Sequence, residues 1–188
     1  MPAKANALKI PRHFTESGKN PFDQLSWSKK DVEIRNFDGS VAFSMKDVTL
    51  PDNYSQVASN VLAQKYLRKA GIPKKLRKVK EKAVPSWLQR SVPDLKAMED
   101  LPENEKFGEE IDGKQTFRRL AGTWTYWGWK YGYFASEADA KSYFDEMCYM
   151  LAFQMVSPNS PQWFNTGLNW AYGIEAVSYT HLTLPTTG

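Results

Sequence analysis

The sequence predicts a mainly α-helical region that carries a small β-hairpin. Two segments, 52–70 and 115–131, place apolar residues three and four positions apart, which is the spacing of one helix face. A third such segment follows Ser136, a residue type that caps helix N-termini. A hairpin signal precedes all three, because an Asp-Gly pair at 38–39 separates two short apolar runs.

The composition fits one folded domain and excludes several kinds of site. The 188 residues are 41% hydrophobic and 24% charged, which is enough apolar side chain for a core. One cysteine excludes a disulfide, a cysteine-based zinc cluster and a two-thiol redox cycle within this chain, and with two histidines we expect no metal. No apolar run reaches the roughly 20 residues that span a bilayer, and the first residues lack the core of a secretory signal. We therefore expect a cytoplasmic protein without a membrane partner.

Residues 1–50 are predicted to form an extended arm. Prolines interrupt it, and its apolar residues occur in short groups without helical spacing. The runs 32–35 and 41–45 flank the turn 36–39 and predict the hairpin.

Residues 51–156 are predicted to form a helical domain with a charged connection at 73–113. Its first helix follows Asp52 and extends to Ala70, where Gly71 favours a left-handed cap and Pro73 prevents continuation. After Pro73 the connection contains three more prolines, at 85, 93 and 102, and it is expected to hold short helices at most.

The net charge of +4 is concentrated in a basic run at 65–90, and an acidic stretch follows at 94–112. Such a run is most often a solvated surface. It also leaves open the alternative function of a basic module that binds nucleic acid or another partner through this run and the Trp-rich segment.

The second helix is predicted over 115–131 and the third from Ser136 to about Val156. The aromatic segment 122–134 fits either core and interface packing, which we favour, or a stacking platform for a sugar or single-stranded bases. Cys148 lies in the third helix without a neighbour that would activate it, so a structural thiol is expected. His13 has no partner at ligand spacing and is expected to pack or to face solvent.

The segment 157–167 is the strongest candidate for binding. Pro158 and Pro161 predict a loop here rather than another buried helix, and its hydroxyls, amides and Gly167 could hold a phosphate or a nucleotide. A proline-containing turn whose side chains cap its own backbone has the same composition. The tail 177–188 is threonine-rich and uncharged, and its wording resembles translated adapter sequence, so we expect an artefact there.

Three long segments carry a family resemblance: SQVASNVLAQKYLRKAGIP at 55–73, RRLAGTWTYWGWKYGYF at 118–134 and YMLAFQMVSPNSPQWFNTGLNWAYGI at 149–174. In their order and spacing they resemble the N-terminal part of the vitamin B12-dependent, class II ribonucleotide reductases. The resemblance implies that residues 157–176 begin the α/β reductase barrel, most of which would follow this chain.

The resemblance also implies an activity. The family reduces ribonucleotides to 2′-deoxyribonucleotides for DNA synthesis: adenosylcobalamin yields a radical that reaches a cysteine, whose thiyl removes the ribose 3′-hydrogen, and a second cysteine pair supplies the electrons. Expected partners are the ribonucleotide, an external dithiol reductant such as thioredoxin, and a second subunit in a homodimer, with no specific nucleic acid.

Residue by residue, the resemblance transfers one site. A hydroxyl residue directly before a proline at this turn helps to hold the substrate nucleotide, and Ser160 precedes Pro161 here. Cys148 matches no catalytic position, so the chain is expected to be a fragment that is inactive alone, its adenosylcobalamin being bound by the missing part. A third possibility, a purely structural interaction domain, predicts no effect of Ser160 on nucleotide binding.

Overall fold

The computed structural model describes residues 7–175, and the suspected artefact at 177–188 lies outside them. In chain order the helices and strands are β1 (Trp27–Arg35), β2 (Val41–Pro51), α1 (Gln56–Val61), β3 (Ile72–Pro73), β4 (Leu76–Lys78), β5 (Ser91–Pro93), β6 (Phe107–Gly108), α2 (Gly113–Lys130), α3 (Glu137–Ala152), α4 (Ser160–Asn165) and α5 (Leu168–Tyr172). The strands form three two-stranded sheets, β1 with β2, β3 with β6 and β4 with β5, so the mainly α expectation is confirmed only in part. None of the helices between residues 7 and 175 is long and apolar enough to cross a bilayer.

The predicted hairpin is present and longer than the sequence indicated. β1 and β2 pair antiparallel from Trp27 opposite Pro51 to Arg35 opposite Val41. Gly39 closes the turn with φ of +84°, a conformation that glycine adopts without a steric penalty. One face of the hairpin enters the core through four side chains that are at most 6% exposed: Val32, Met45, Val48 and Leu50.

The first helix is shorter than predicted. α1 is followed by a π-helical turn, Leu62–Tyr66, and Leu67 already has an extended backbone, so the predicted helix to Ala70 is wrong. Gly71 does take the predicted left-handed conformation, with φ of +80°, but it caps no helix there. The physical reason is competition for the backbone groups. The amide of Arg68 donates to a Glu110 carboxylate oxygen at 2.8 Å instead of to the preceding turn.

The connection between the π-helical turn and α2 contains short elements, as expected. Its 3₁₀ turns are Ser86–Leu88, Lys96–Met98 and Glu103–Glu105, and the short strand pairs β3–β6 and β4–β5 were not predicted. Leu88 and Met98 are fully buried and fix this segment to the rest of the molecule, whereas Leu95 is 65% exposed.

Both long helices predicted from the sequence are present, and the predicted cap at Ser136 is confirmed, whereas the capping box of α2 was not predicted. Asp112 and Gln115 form a reciprocal capping box at the start of α2, and the Ser136 side chain accepts from the Asp139 amide at the start of α3. α3 ends at Ala152 rather than at Val156, and Gln154 then takes φ of +58°. The predicted apolar stripe of α3 therefore ends at Leu151.

The segment after α3 differs most from its prediction. Where a loop was expected, α4 and α5 form two short helices, with Pro161 in the first turn of α4. Proline is compatible with this position because the first amides of a helix have no intrahelical acceptor. Gly167 joins the two helices with φ of +89°, and a Cβ there would lie 2.2 Å from the Arg119 carbonyl oxygen, so the α4–α5 junction packs directly on α2.

One hydrophobic core connects the hairpin, α1, α2, α3 and α4. Its buried members come from the hairpin, α2, α3, α4 and the adjoining turns, and Ala58 of α1 packs against them. The largest core side chains that are at most 5% exposed are Phe22, Leu50, Leu62, Leu67, Phe117, Leu120, Leu151 and Trp163. Ser160 and the turn it begins are thus positioned by a core that reaches back to β1.

Candidate functional site

Ser160, the substrate-binding residue expected from the resemblance, lies exposed at the start of α4. Its hydroxyl oxygen is 3.2 Å from the hydroxyl of Tyr66, at the end of the π-helical turn. The amides of Gln162 and Trp163 both point to the Asn159 carbonyl within the turn. The backbone of the turn therefore satisfies part of its own hydrogen bonding, and the Ser160 side chain next to Tyr66 is exposed.

Tyr66 belongs to an aromatic group beside this turn. Its ring stacks on Trp163 with centroids 5.0 Å apart and planes 15° from parallel, and Phe164 lies 5.8 Å away. Stacking fixes the ring plane, and hence the place of the hydroxyl next to Ser160. A cavity of about 400 Å³ opens beside the stacked Tyr66 and Trp163 rings. Tyr54, Phe117 and several aliphatic and polar side chains line the rest of it.

A buried ion pair lies behind the turn. Arg119 and Glu110 have side chains that are 0% exposed, and the Arg119 Nε donates to Glu110 Oε1 at 2.9 Å. The same guanidinium donates to the carbonyl oxygens of Tyr66 at 3.0 Å, Trp163 at 2.8 Å and Thr166 at 2.8 Å. The Arg119 side chain of α2 thereby holds both the π-helical turn that carries the Tyr66 hydroxyl and the helix α4 that carries the Ser160 hydroxyl.

The carboxylate of Glu110 is fully satisfied. Besides Arg119, it accepts from the Thr116 hydroxyl at 2.9 Å, the Tyr172 hydroxyl at 2.8 Å and the Arg68 amide. Burial, and the negative charge of Glu110 next to it, raise the pKa of Tyr172 far above its usual value, so this phenol stays a hydrogen-bond donor. The donors of the protein thus take the place of water around this buried side chain.

Sequence reasoning missed Tyr66, Glu110 and Arg119 as parts of this site. One signal was available: Arg119 shares the side of α2 opposite the apolar stripe with the small residues Thr116 and Thr123. A cation among small residues on a helix indicates close packing and a buried partner. The partner, Glu110, was not identifiable because its contact depends on the fold of the preceding connection.

The other predicted candidates lie apart from this turn. Cys148 is completely buried in α3, and burial raises the pKa of its thiol well above the usual range, as expected for a structural cysteine. His13 packs edge-on against Phe14 with ring centroids 4.5 Å apart. Across residues 7–175 the structure shows no group of histidine, cysteine and carboxylate side chains that could hold a metal ion.

The Trp-rich segment at the end of α2 binds the connection instead of standing free. Trp129 Nε1 donates to the Ala83 carbonyl at 2.7 Å, and the Tyr126 hydroxyl donates to Glu81 at 2.6 Å. Burial and the neighbouring Glu81 raise the pKa of Tyr126 to about 12. Three aromatic residues of the segment remain exposed: Trp127 at 50%, Tyr131 at 67% and Tyr133 at 58%. These contacts agree with the interface interpretation of the aromatic residues.

A comparison with known families identifies the chain. The model of the class II vitamin B12-dependent ribonucleotide reductases matches residues 28–154, from the hairpin through α3. The chain belongs to this family. It is 54% identical over 182 residues to the vitamin B12-dependent ribonucleotide reductases of Agrobacterium fabrum and of Bradyrhizobium diazoefficiens, which covers 96% of the chain and 14% of each relative. The enzyme of the same name from Streptomyces avermitilis is 33% identical over 166 residues, or 87% of the chain and 14% of the relative. The chain thus spans about one seventh of the length of these class II reductases.

The apolar cavity between the arm, α2 and α3 of this reductase region does not fit cobalamin. It has a volume of about 530 Å³ and is lined by residues such as Leu8, Ile10, Trp124, Phe134 and Met147. A corrinoid is larger than the ligands that cavities of this size enclose, and its peripheral amides need hydrogen-bond partners that such a lining does not provide. No step of the chemistry is therefore assigned to cobalamin bound at these residues.

Proposed function

We propose that this chain is the N-terminal region of an enzyme that reduces ribonucleotides to 2′-deoxyribonucleotides for DNA synthesis. In this proposal adenosylcobalamin initiates thiyl radical chemistry and is bound elsewhere in the enzyme. Family membership and 54% identity to two vitamin B12-dependent ribonucleotide reductases support it. The short share of those relatives that the chain spans leaves room for the parts that carry out the radical chemistry.

The cysteine content supports this division of labour. Reduction of a ribonucleotide removes the 2′-hydroxyl as water and takes two electrons from a pair of thiols, which become a disulfide. This chain has one cysteine, and it is buried in α3 with a raised pKa. The thiyl cysteine and the redox pair are accordingly proposed to lie in the remainder of the enzyme, so that the 188-residue chain alone does not turn over.

The proposed role of this region is to hold the substrate through Ser160. The observation that carries it is the exposed hydroxyl of Ser160, fixed 3.2 Å from the hydroxyl of Tyr66 on a turn with a buried anchor. A hydroxyl both donates and accepts hydrogen bonds, so it can bind either a phosphate oxygen or a ribose hydroxyl. We further propose that residues 157–176 begin the reductase barrel, and that thioredoxin or another dithiol reductant and a second subunit complete the cytoplasmic enzyme.

The test is Ser160→Ala in the complete reductase that contains this region, here called the full-length reductase. Loss of one hydrogen bond to a nucleotide, worth about 1–2 kcal/mol, is expected to raise KM by roughly 5–30-fold. The measurement is deoxyribonucleotide formation with adenosylcobalamin and a dithiol at varied substrate concentration.

The matched control is Ser157→Ala, which removes a hydroxyl three residues earlier in the same turn. The Ser157 hydroxyl lies 3.4 Å from Trp163 Nε1 rather than at the Ser160–Tyr66 pair. Its loss is expected to leave KM within about twofold of the parent value, since the change is confined to a weak neutral contact. Equal KM values in the parent and in Ser160→Ala would exclude the proposed role of Ser160 and favour the purely structural alternative.

A further inference from the structure

We propose that Arg119 is a positioning residue of the reductase, which sets the substrate-binding hydroxyl of Ser160 against Tyr66 without touching substrate itself. This inference rests on the proposed function of Ser160. It assigns a role in substrate binding to a side chain that is completely buried and outside the turn.

The first argument is the set of carbonyls that Arg119 binds. Ser160 and Tyr66 lie on segments separated by 94 residues in sequence, and their hydroxyls are 3.2 Å apart. The guanidinium donates to the Tyr66 carbonyl on one segment and to the Trp163 and Thr166 carbonyls on the other. Because one rigid, planar group bonds both segments, it fixes the distance between them.

The second argument is the orientation of the guanidinium. Two of its nitrogens donate to Glu110, at 2.9 Å and 3.4 Å, which fixes the plane of the group. Glu110 also accepts from the amide of Arg68, just beyond the π-helical turn. Arg119 thus binds the π-helical turn directly at the Tyr66 carbonyl, and Glu110 binds the chain two residues later, at the Arg68 amide.

The third argument is the close approach of the backbones. A Cβ at Gly167 would lie 2.2 Å from the Arg119 carbonyl oxygen, so the α4–α5 junction is in direct contact with α2 at the residue that supplies the guanidinium. The turn therefore has little room to move while Arg119 remains bonded. Small displacements of binding groups have large effects on substrate binding and on rate, and for that reason a buried anchor here acts on the site.

The informative variant is Arg119→Lys. A lysine keeps the positive charge opposite Glu110, but its ammonium is a single point donor and cannot reproduce the planar fork that bonds three carbonyls. In the full-length reductase we expect KM to rise roughly 3–10-fold, with the folded state retained in thermal unfolding. The paired substitution Arg119→Met with Glu110→Gln removes both charges; it is the second variant and is expected to give a similar rise in KM.

Two comparisons separate positioning from general destabilisation. In a Ser160→Ala background, Arg119→Lys is expected to change KM by less than about twofold, because two residues that act through one contact are not additive. The matched control is Glu146→Gln. It changes a different buried carboxylate, which lies on α3 and binds the N-terminal arm rather than the turn at Ser160. It is expected to lower the unfolding temperature and to leave KM unchanged.

Each result decides the inference. A raised KM for Arg119→Lys that disappears in the Ser160→Ala background supports it. Multiplying effects of the two substitutions, or an unchanged KM in Arg119→Lys, overturns it while leaving the role of Ser160 intact. The inference is also overturned if Glu146→Gln lowers the unfolding temperature and raises KM as much as Arg119→Lys does. A loss of stability alone would then explain the rise in KM. A parent enzyme that forms no deoxyribonucleotide overturns the proposed function and this inference with it.

Discussion

Two buried carboxylates, Glu110 and Glu146, hold distant segments of the chain by different means. Glu110 is in direct contact with the cation Arg119, and together they bind the segments that carry Tyr66 and Ser160. Glu146, on α3, binds the N-terminal arm through peptide amides and the hydroxyl of Thr15. The first arrangement joins three segments around one buried charge pair, and the second fastens a single segment to a helix.

The comparison shows how the donor set determines what each cluster can do. The Glu110 cluster has a partner charge, so removing one member leaves the other uncompensated in the interior. The Glu146 cluster consists of neutral donors, and its negative charge therefore depends on the hydrogen bonds that the arm provides. Burial alone would raise the pKa of Glu146, but the Thr15 hydroxyl and the amides of residues 13–15 more than offset this, and the pKa lies below its usual value.

The largest expected effect follows from breaking the charge pair. Arg119→Met leaves the Glu110 carboxylate buried without its cation, which is expected to lower the free energy of unfolding by about 3–5 kcal/mol. Urea denaturation of the 188-residue chain measures it. The double variant with Glu110→Gln is the control, and it is expected to recover part of the loss, because no charge is then buried while the three carbonyls that Arg119 binds still lack their donor. A single variant as stable as the parent would show that the two residues are not an energetic pair.

A smaller effect is expected from the neutral cluster. Glu146→Gln replaces hydrogen bonds to a charged acceptor by bonds to a neutral one and leaves an amide N–H2 facing the arm amides, which is expected to cost about 1.5–3 kcal/mol. Hydrogen exchange is expected to speed up at the amides of residues 13–15 and to change little at the Arg68 amide. The exposed Glu99→Gln is the matched control, with an expected change within about 0.5 kcal/mol. Equal acceleration of exchange at both places would mean that the two clusters unfold together.

The pH dependence gives the finest distinction. The folded-state pKa of Glu146 is lowered from an ordinary value of 4.5, so its contribution to stability is complete above that pH and is lost as the pH falls through the lowered pKa. The parent is therefore expected to lose more stability than Glu146→Gln between about pH 6 and about pH 3. Asp139, which holds the Ile10 amide, also has a lowered pKa, through its hydrogen bonds to Ser136 and Ile10, and it is present in both proteins. Parallel pH profiles of the parent and the variant would contradict the role of Glu146.

Local signals in the sequence were sufficient for much of the fold. The predicted cap at Ser136 and the predicted turn at Gly39 depend on neighbouring residues, and the structure has the corresponding helix and hairpin. The predicted helix over residues 52–70 is wrong in its C-terminal part because the Arg68 amide donates to Glu110, which lies far along the chain. The predicted loop at 157–167 is wrong for a different reason. Pro158 and Pro161 predict a break in the helix, but Pro161 occupies the first turn of α4, a position that tolerates proline.

The site divides in the same way. Ser160 was predicted from the resemblance to the family, which supplied a role that composition alone left open. Tyr66, Arg119 and Glu110 come together only through contacts that join the π-helical turn, the connection, α2 and α4. Long-range pairings of this kind leave weak traces in a single sequence, since each residue satisfies the local pattern of its own segment.

The central claim is that the turn at Ser160 binds substrate, and a structure of the full-length reductase with bound ribonucleotide tests it most directly. The account predicts a nucleotide oxygen within about 2.6–3.2 Å of the Ser160 hydroxyl, with Tyr66 still adjacent and the Arg119 bonds to both segments unchanged. A ribonucleotide bound in the active site with no atom in hydrogen-bond contact with Ser160 would contradict the account.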